Sequence, residues 1–315
     1  TNKGFGTYTQ SAGLNGAYPD FMAWAHAKLI RTYNNDGVFY DSVSNLSTDR
    51  NLHIGNAWLD SEGRVRPLYP IRATREMFRR IYNLFHGELK ENGAIVNFGG
   101  SIGPINVYAD VFHRGEGRPM HAEALRDCWV PLETYRSRFD ARKYGVPYLA
   151  MNKNFKRLPM RVNNHHAVTL LHDLGHTKAT GGALHARNFG YGYDQEPQAR
   201  IWQTRSWLPY NEETRSFYFH KNQTAVQPSR NRLLSSAFVS SDGKRAVLVV
   251  SNLDKTPVKQ VEVRVDFDKL GITGDAKSLV LEDAILGEDI ELKGNTFTVD
   301  IEPERYRLLK LSADK

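Results

Sequence analysis

Two textures divide the chain when apolar and polar positions are followed along it. Up to about residue 225, stretches with apolar residues three and four apart alternate with short apolar runs bounded by turn residues; beyond it the chain reads as strands throughout. In the first part, residues 20–33 (DFMAWAHAKLIRTY) predict a helix opened by Pro19-Asp20, and residues 71–91 a basic amphipathic helix. Short strands are predicted at 38–40, after Asp36-Gly37, at 94–98 (AIVNF), ended by Gly99-Gly100, at 110–113 and at 146–151. A short turn-rich helix is expected near 102–108, further helices over 130–143 and 159–171, and a long loop over 42–70. Alternation of this kind is the signature of βα units around a parallel sheet.

In the last part, residues 233–240 and 245–251 flank Ser241-Asp242-Gly243-Lys244, and Asp-Gly between two strand patterns is a strong hairpin signal. Runs at 258–267, 276–281, 296–301 and 306–311 continue the pattern, so the last ninety or so residues predict a small antiparallel β-sandwich. Two domains are therefore expected, 1–224 and 225–315. The first holds five or six predicted strands, whereas a closed (β/α)8 barrel needs eight and usually about 250 residues. Either that sheet is open, or its first strands lie on a segment outside this chain.

Composition narrows the classes. Apolar residues make up 40% and charged residues 24% of 315, which excludes a disordered or collagen-like chain. No apolar run approaches the roughly 18–20 residues of a membrane-spanning helix. The single cysteine, Cys128, excludes an internal disulfide and a multi-cysteine zinc site. Forty-two Lys and Arg against thirty-five Asp and Glu leave a net charge of +7, which favours an acidic partner. Nucleic acid is not that partner on sequence grounds. The basic stretches at 72–80 and 136–143 are helical patterns interleaved with acidic or apolar positions, and no helix-turn-helix, zinc-finger or RNA-binding signature accompanies them.

In parallel α/β folds, functional residues collect at the carboxyl ends of strands. Those ends carry Asp41, Asn97, Glu116, Asn152 and the pair His172-Asp173. Asp41 and Glu116 follow strands separated by one intervening strand, so their carboxyls are placed to face one another across a cleft. Such a pair is what cleavage of a glycosidic bond needs: one proton donor to the leaving oxygen, and one nucleophile or water-activating base. The plainer reading is that Asp41 caps a turn and Glu116 pairs with Arg114 or Arg118 at the surface.

The stretches DGVFYDSVSN, YPIRATREMFRRIYNLF, AIVNFGG and YADVFHRGEG together resemble the later half of a (β/α)8 glycoside hydrolase catalytic domain, closest to family 123-like domains and more loosely to α-galactosidase-type barrels. IWQTRSWLPY and AFVSSDGKRAVLVVSNLD resemble the end of such proteins. The resemblance implies an α/β fold, a (β/α)8 TIM-type barrel incomplete at its N-terminal side, followed by the β-sandwich. In α-galactosidase-type barrels the nucleophile ends strand four and the acid/base ends strand six. With residues 38–40 as strand four, Asp41 and Glu116 match those positions. Family 123 enzymes use an adjacent Asp-Glu pair to assist an acetamido group, and no such dipeptide stands at a strand end here, so a direct two-carboxylate mechanism is expected. The chain then begins near barrel strand three, with GFGTYT (4–9) as the tail of that strand. The first strands are expected from an N-terminal segment on another chain or from self-association.

Around this pair, Asn97 and Asn152 are candidates for hydrogen bonds to sugar hydroxyls. His113 and Arg114 are candidates to tune Glu116 or to hold an anionic sugar group. Tyr40, Tyr148 and Trp207, with Trp58 and Trp202, are candidates for stacking on sugar faces, although each ring alone is more often core. His172 and Asp173, within LLHDLGH, are expected to face substrate at the last barrel strand. They also resemble the His-Asp pair of metal-dependent HD-domain phosphohydrolases, which implies a rival activity with His165, His166 and His176 nearby, but HD domains are all-helical. A second rival is a non-catalytic carbohydrate-binding subunit. The leading expectation is a secreted or periplasmic glycoside hydrolase acting on a poly- or oligosaccharide, anionic in keeping with the charge, without metal or other cofactor.

Overall fold

A computed structural model describes residues 17–40, 52, 57–67, 71–90, 93–98, 106–114, 132, 148–151, 162–172, 175–177, 196–208, 213–274 and 278–313. The chain divides into two compact units, Thr1–Arg114 with Arg142–Leu149, and Gly115–Ala141 with Ala150–Lys315.

The first unit is built from βα alternation. Helix α1 (Tyr18–Tyr33) carries proline in its first turn, where a missing N–H costs nothing, and ends on Asn34 in the left-handed conformation, whose N–H donates to the Ile30 carbonyl. Strand β1 (Gly37–Tyr40) follows. Strands β2 (Ala57–Leu59) and β3 (Val65–Pro67) form a small antiparallel hairpin inside the stretch expected to be loop. Its turn is held by Asp60, which accepts from the N–H groups of Glu62 and Arg64. Helix α2 (Ile71–Leu84) continues into a π-helical turn, Phe85–Leu89, so the helix expected to reach residue 91 loses regular α geometry at Phe85. Strands β4 (Ala94–Phe98) and β5 (Val111–Arg114) complete the described set, with a 3-10 turn at Asn106–Tyr108. The helix expected over 130–143 falls almost wholly outside the described residues.

Strands β1, β4 and β5 are parallel, in that order, with Tyr40 opposite Asn97 and Asn97 opposite Phe112. Gly37 opens β1 where a Cβ would stand 2.4 Å from the Ala94 carbonyl oxygen, so the close start of this pairing requires glycine. The two sheet faces differ. Ile30 of α1, Met77, Phe78 and Ile81 of α2, Phe85 and Ile95 form a buried cluster against which Val38 and Tyr40 pack. The opposite face, bearing Phe39, Val96 and Val111, is half-buried, with Phe39 51% exposed. No closed barrel is seen among the described residues of this unit. Strand β6 (Tyr148–Met151) falls on the boundary between the units.

The second unit contains helix α3 (Val162–Leu171), strand β7 (Gly175–Thr177), helix α4 (Glu196–Trp207) and strands β8 (Arg215–Phe217), β9 (Val226–Pro228), β10 (Leu233–Val239), β11 (Arg245–Asn252) and β12 (Val258–Val265). A one-turn helix α5 (Phe267–Leu270) precedes β13 (Val280–Asp283), β14 (Glu288–Ile290), β15 (Thr296–Ile301) and β16 (Arg305–Ser312). The strands make an antiparallel six-stranded sheet, β14-β13-β16-β11-β10-β8, and a three-stranded sheet, β15-β12-β9.

Side-chain alternation explains the layering. On β11, Ala246, Leu248 and Val250 join a core shared with Val261, Val263, Phe297 and Val299 of the smaller sheet. Val247 and Val249 point the other way, into a second core with Leu170 and Leu171 of α3, Ile201 of α4 and Leu208. A strand covered on both faces must be apolar at nearly every position, which is why AVLVV runs without alternation. Strand β12 has one wet face, and VKQVEVRV alternates accordingly. Two buried hydroxyls tie α3 to the sheet: Ser236 donates to the Leu171 carbonyl and Ser251 to that of Ala167, both at 2.8 Å. After β11, the fully buried Asn252 side-chain amide donates to the carbonyls of Thr256, Ile301 and Glu302, and its oxygen accepts from the Asp254 N–H. Among the described residues no helix is long and apolar enough to cross a membrane.

Candidate active site at the strand ends of the parallel sheet

Because β1, β4 and β5 are parallel, the chain leaves Tyr40, Phe98 and Arg114 at one edge of the sheet. Asp41 is the next residue after β1 in sequence, and Glu116 the second after β5. Both lie outside the described residues, as do Asn152 and Asp173, and the same holds for the side chains of His113, Arg114 and Tyr148, whose backbones lie in β5 and β6.

Tyr40 is committed to the helix side of the sheet. Its hydroxyl lies 2.8 Å from His26 Nε2, and His26 Nδ1 lies 2.5 Å from the Met22 carbonyl. With Nδ1–H donating to that carbonyl, Nε2 is left to accept from the tyrosine. The Tyr40 ring meets Phe78 edge-on at 5.0 Å. Burial, and secondarily the neighbouring Tyr18, push its phenol well above the ordinary tyrosine range. Sequence reading did not single out His26. The pair is separated by fourteen residues, and only packing of α1 on the sheet brings them together.

Asn97 shares a strand face with Ile95, two residues before it. It is fully buried, and neither its amide nitrogen nor its oxygen has a hydrogen-bond partner among the described residues. Leaving such groups unpaired away from water costs about 1–3 kcal/mol, which the fold tolerates at the carboxyl end of β4.

At the opposite, amino-terminal edge, Asp110 accepts from the Ile95 N–H at 2.6 Å and pairs with His86 Nε2 at 3.0 Å. Tyr82 lies against His86 with ring centres 4.4 Å apart; burial and then the Asp110 charge raise its pKa. Polar clusters at this edge of a parallel sheet serve stability rather than chemistry.

In the second unit, His172 is fully buried. Its Nδ1 lies 2.7 Å from the Val168 carbonyl one helical turn back, and its ring meets Phe219 edge-on at 5.1 Å and stacks on His220 at 6.0 Å. Trp207 lies under two cations, with the Arg245 guanidinium 5.4 Å and the Lys310 ammonium 5.3 Å from its ring centre. Trp58 and Trp202 are exposed. Among the described residues no three His, Cys, Asp or Glu side chains converge to hold a metal ion.

No protein-family model matches the chain, and no curated protein matches it in sequence. Solved structures do match in fold. An α-amylase from Anoxybacillus, described as representing a new glycosyl hydrolase subclass, superposes with a TM-score of 0.52 at 11% identity, over 96% of this chain and 64% of its own. An α-amylase from Geobacillus thermoleovorans, complexed with acarbose, gives 0.52 at 14% identity, over 95% of this chain and 65% of its own. A GH27 β-L-arabinopyranosidase from Geobacillus stearothermophilus gives 0.47 at 13% identity, over 94% and 61%. The chain spans less than two thirds of the length of each. The likeness to the two α-amylases is therefore one of fold.

Proposed function

We propose that this chain carries the catalytic carboxylates of a glycoside hydrolase that cleaves O-glycosidic bonds of a poly- or oligosaccharide. The observation that supports this reading is the parallel order β1-β4-β5: the strands that Asp41 and Glu116 follow release the chain at one sheet edge, one strand apart. Neighbouring strands lie about 4.8 Å apart, so two steps separate the backbones by roughly 10 Å. Carboxyls reaching inward from that separation meet the working range, about 5–5.5 Å for retention of anomeric configuration and about 6.5–9.5 Å for inversion. Asp41 is the nucleophile and Glu116 the general acid/base. The shared fold with the two α-amylases is consistent with this chemistry. A metal-dependent phosphohydrolase gains no support, because His172 sits in the hydrophobic interior with Nδ1 against a backbone carbonyl.

The test is reducing-end release from a panel of neutral and acidic oligosaccharides, comparing the wild-type protein with Asp41→Asn and Glu116→Gln. Each substitution keeps side-chain size and is expected to lower turnover at least a thousandfold with folding unchanged by circular dichroism. Near-normal turnover in either variant removes that residue from the mechanism. Saccharide binding without hydrolysis would instead identify a carbohydrate-binding subunit.

A further inference from the structure

The two-sheet unit carries a surface pocket of about 560 Å3 between the turn from β9 to β10 and the start of β12, lined by Ser229, Arg230, Asn231, Arg232, Pro257 and Lys259. That volume lies within the range of small-ligand sites. Its walls are fixed by the fold. Arg232 spans them, donating to the Thr256 hydroxyl at 2.7 Å and the Pro257 carbonyl at 3.1 Å. Asn252 holds the same segment from beneath through the Thr256 carbonyl.

A β-bulge forms the third side. Val258 pairs with Ile301 and Val261 with Val299, so Lys259 and Gln260 together oppose the single residue Asp300. Gln260 is held at φ 49, a conformation that residues with a Cβ avoid, and the Asp300 carboxylate takes its N–H at 2.7 Å. Bulges re-aim side chains beside functional sites, and this one sets Lys259 on the pocket rim.

The lining has three cations, and they are not equivalent. Lys259 is paired with Glu302 and Asp300, and Arg232 with Asp254. Among the described residues Arg230 makes no ion pair and no side-chain hydrogen bond. This open depression therefore offers one guanidinium outside any ion pair beside a hydroxyl, a carboxamide and the apolar ring of exposed Pro257.

We infer that this pocket binds an anionic sugar residue of an oligosaccharide. Arg230 takes the carboxylate or sulfate in a two-pronged contact, Ser229 and Asn231 take ring hydroxyls, and Pro257 covers the apolar sugar face. The anion follows from Arg230, and the choice of a sugar to carry it rests on the glycosidase reading above. Little ordering of the pocket is needed on binding, because Arg232, Asn252 and Asp300 already hold its sides.

The experiment is calorimetric titration of the full chain bearing Asp41→Asn, to suppress turnover. The probes are an oligogalacturonate, a sulfated galactan oligomer, a neutral galactan oligomer of equal length, and inorganic sulfate. At least one charged oligomer is expected to bind at least tenfold more tightly than the neutral one and than inorganic sulfate, and comparison of the two charged oligomers identifies the group. Adding Arg230→Gln is expected to weaken that binding at least tenfold, and Arg230→Lys less. Arg264→Gln, on the exposed side of β12, is expected to leave it unchanged. Equal binding with and without Arg230→Gln overturns the inference, as does binding of inorganic sulfate or the neutral oligomer as tight as that of the charged ones. Hydrolysis is assayed separately with the wild-type chain. Binding through Arg230 without cleavage of any oligosaccharide leaves the pocket standing and removes the hydrolytic reading; cleavage without Arg230-dependent binding does the reverse.

Discussion

Replacing Asn97 with leucine should make the parallel sheet more stable. The side chain is fully buried and both of its polar atoms lack partners. Burying an amide without hydrogen bonds costs about 1–3 kcal/mol on the scale of protein substitutions. Leucine keeps the branched outline of asparagine, with methyl groups in place of the amide atoms, and adds apolar contacts beside Ile95 and Phe112, although its greater bulk brings an overpacking penalty of about 1 kcal/mol. The balance favours Asn97→Leu by up to about 2 kcal/mol. Because the molecule has two compact units, a global melt mixes their responses, and amide hydrogen exchange on β4 reads this unit directly. A stabilisation of 1.4 kcal/mol corresponds to about tenfold slower exchange at Ile95 and Val96 if those amides open with the unit. Exchange that becomes faster by tenfold or more would refute the reasoning, since it would show that the amide is satisfied in the folded protein and that its removal is a loss.

Four further outcomes follow from other parts of the structure. Asp283→Ala should destabilise the second unit by about 3–5 kcal/mol in urea unfolding, because the 1% exposed carboxylate serves Arg307 at 2.8 Å and the N–H groups of Ile285 and Leu286, and its loss strands a partly buried guanidinium; a change below 1 kcal/mol would contradict this. Tyr40→Phe should cost about 1 kcal/mol through the lost bond to His26, measured by exchange at β1 amides. The raised Tyr40 pKa means that the folded state holds this proton longer than the unfolded chain, so its contribution is complete below about pH 10 and falls as pH rises through the folded value; a spectrophotometric titration should show one phenol ionising late in the wild type and none so late in Tyr40→Phe. Asp242 behaves in the opposite sense: hydrogen bonds from Ser240 and the Lys244 N–H lower its pKa, so its support of the β10–β11 turn is complete above about pH 4 and fades as pH falls through the lowered folded value. Amide chemical shifts of Lys244 and Arg245, followed by NMR between pH 6 and 2, should report that transition.

Much of the parallel sheet was readable in the sequence. Expected strands at 38–40, 94–98 and 110–113 correspond to Gly37–Tyr40, Ala94–Phe98 and Val111–Arg114, since short apolar runs between turn residues have few alternatives. The Asp-Gly hairpin stands between Leu233–Val239 and Arg245–Asn252. Other features depend on contacts that a local pattern does not carry. The hairpin of Ala57–Leu59 with Val65–Pro67 has three-residue strands, too short for a period to register, and its turn is organised by one carboxylate. Helix Glu196–Trp207 was not singled out, because EPQARIWQTRSW has little amphipathic contrast and, among its described side chains, buries only Ile201 and Thr204. The π-helical turn after Leu84 satisfies every helical pattern at the level of residues. At the candidate site, the strand-end rule selected Asn97 and the search for stacking aromatics selected Tyr40, but neither said which way the side chains point. Strand alternation with Ile95 as reference puts both toward the helices, and that reference becomes available only once the cluster of Ile95 with Phe78 and Ile81 is known.

The role of Asn252 constrains how this protein can diverge. One buried side chain fixes the backbone from Asp254 to Thr256 by counting carbonyls and N–H groups, not by recognising the side chains between them. Residues 254–257 are exposed, and a substitution there leaves the Asn252 bonds in place, whereas an inserted or deleted residue would pull the Thr256 carbonyl out of reach. Drift in this loop should therefore change its surface chemistry at constant length. Relatives could retune what is presented beside Arg232 one residue at a time, on a loop whose path stays the same.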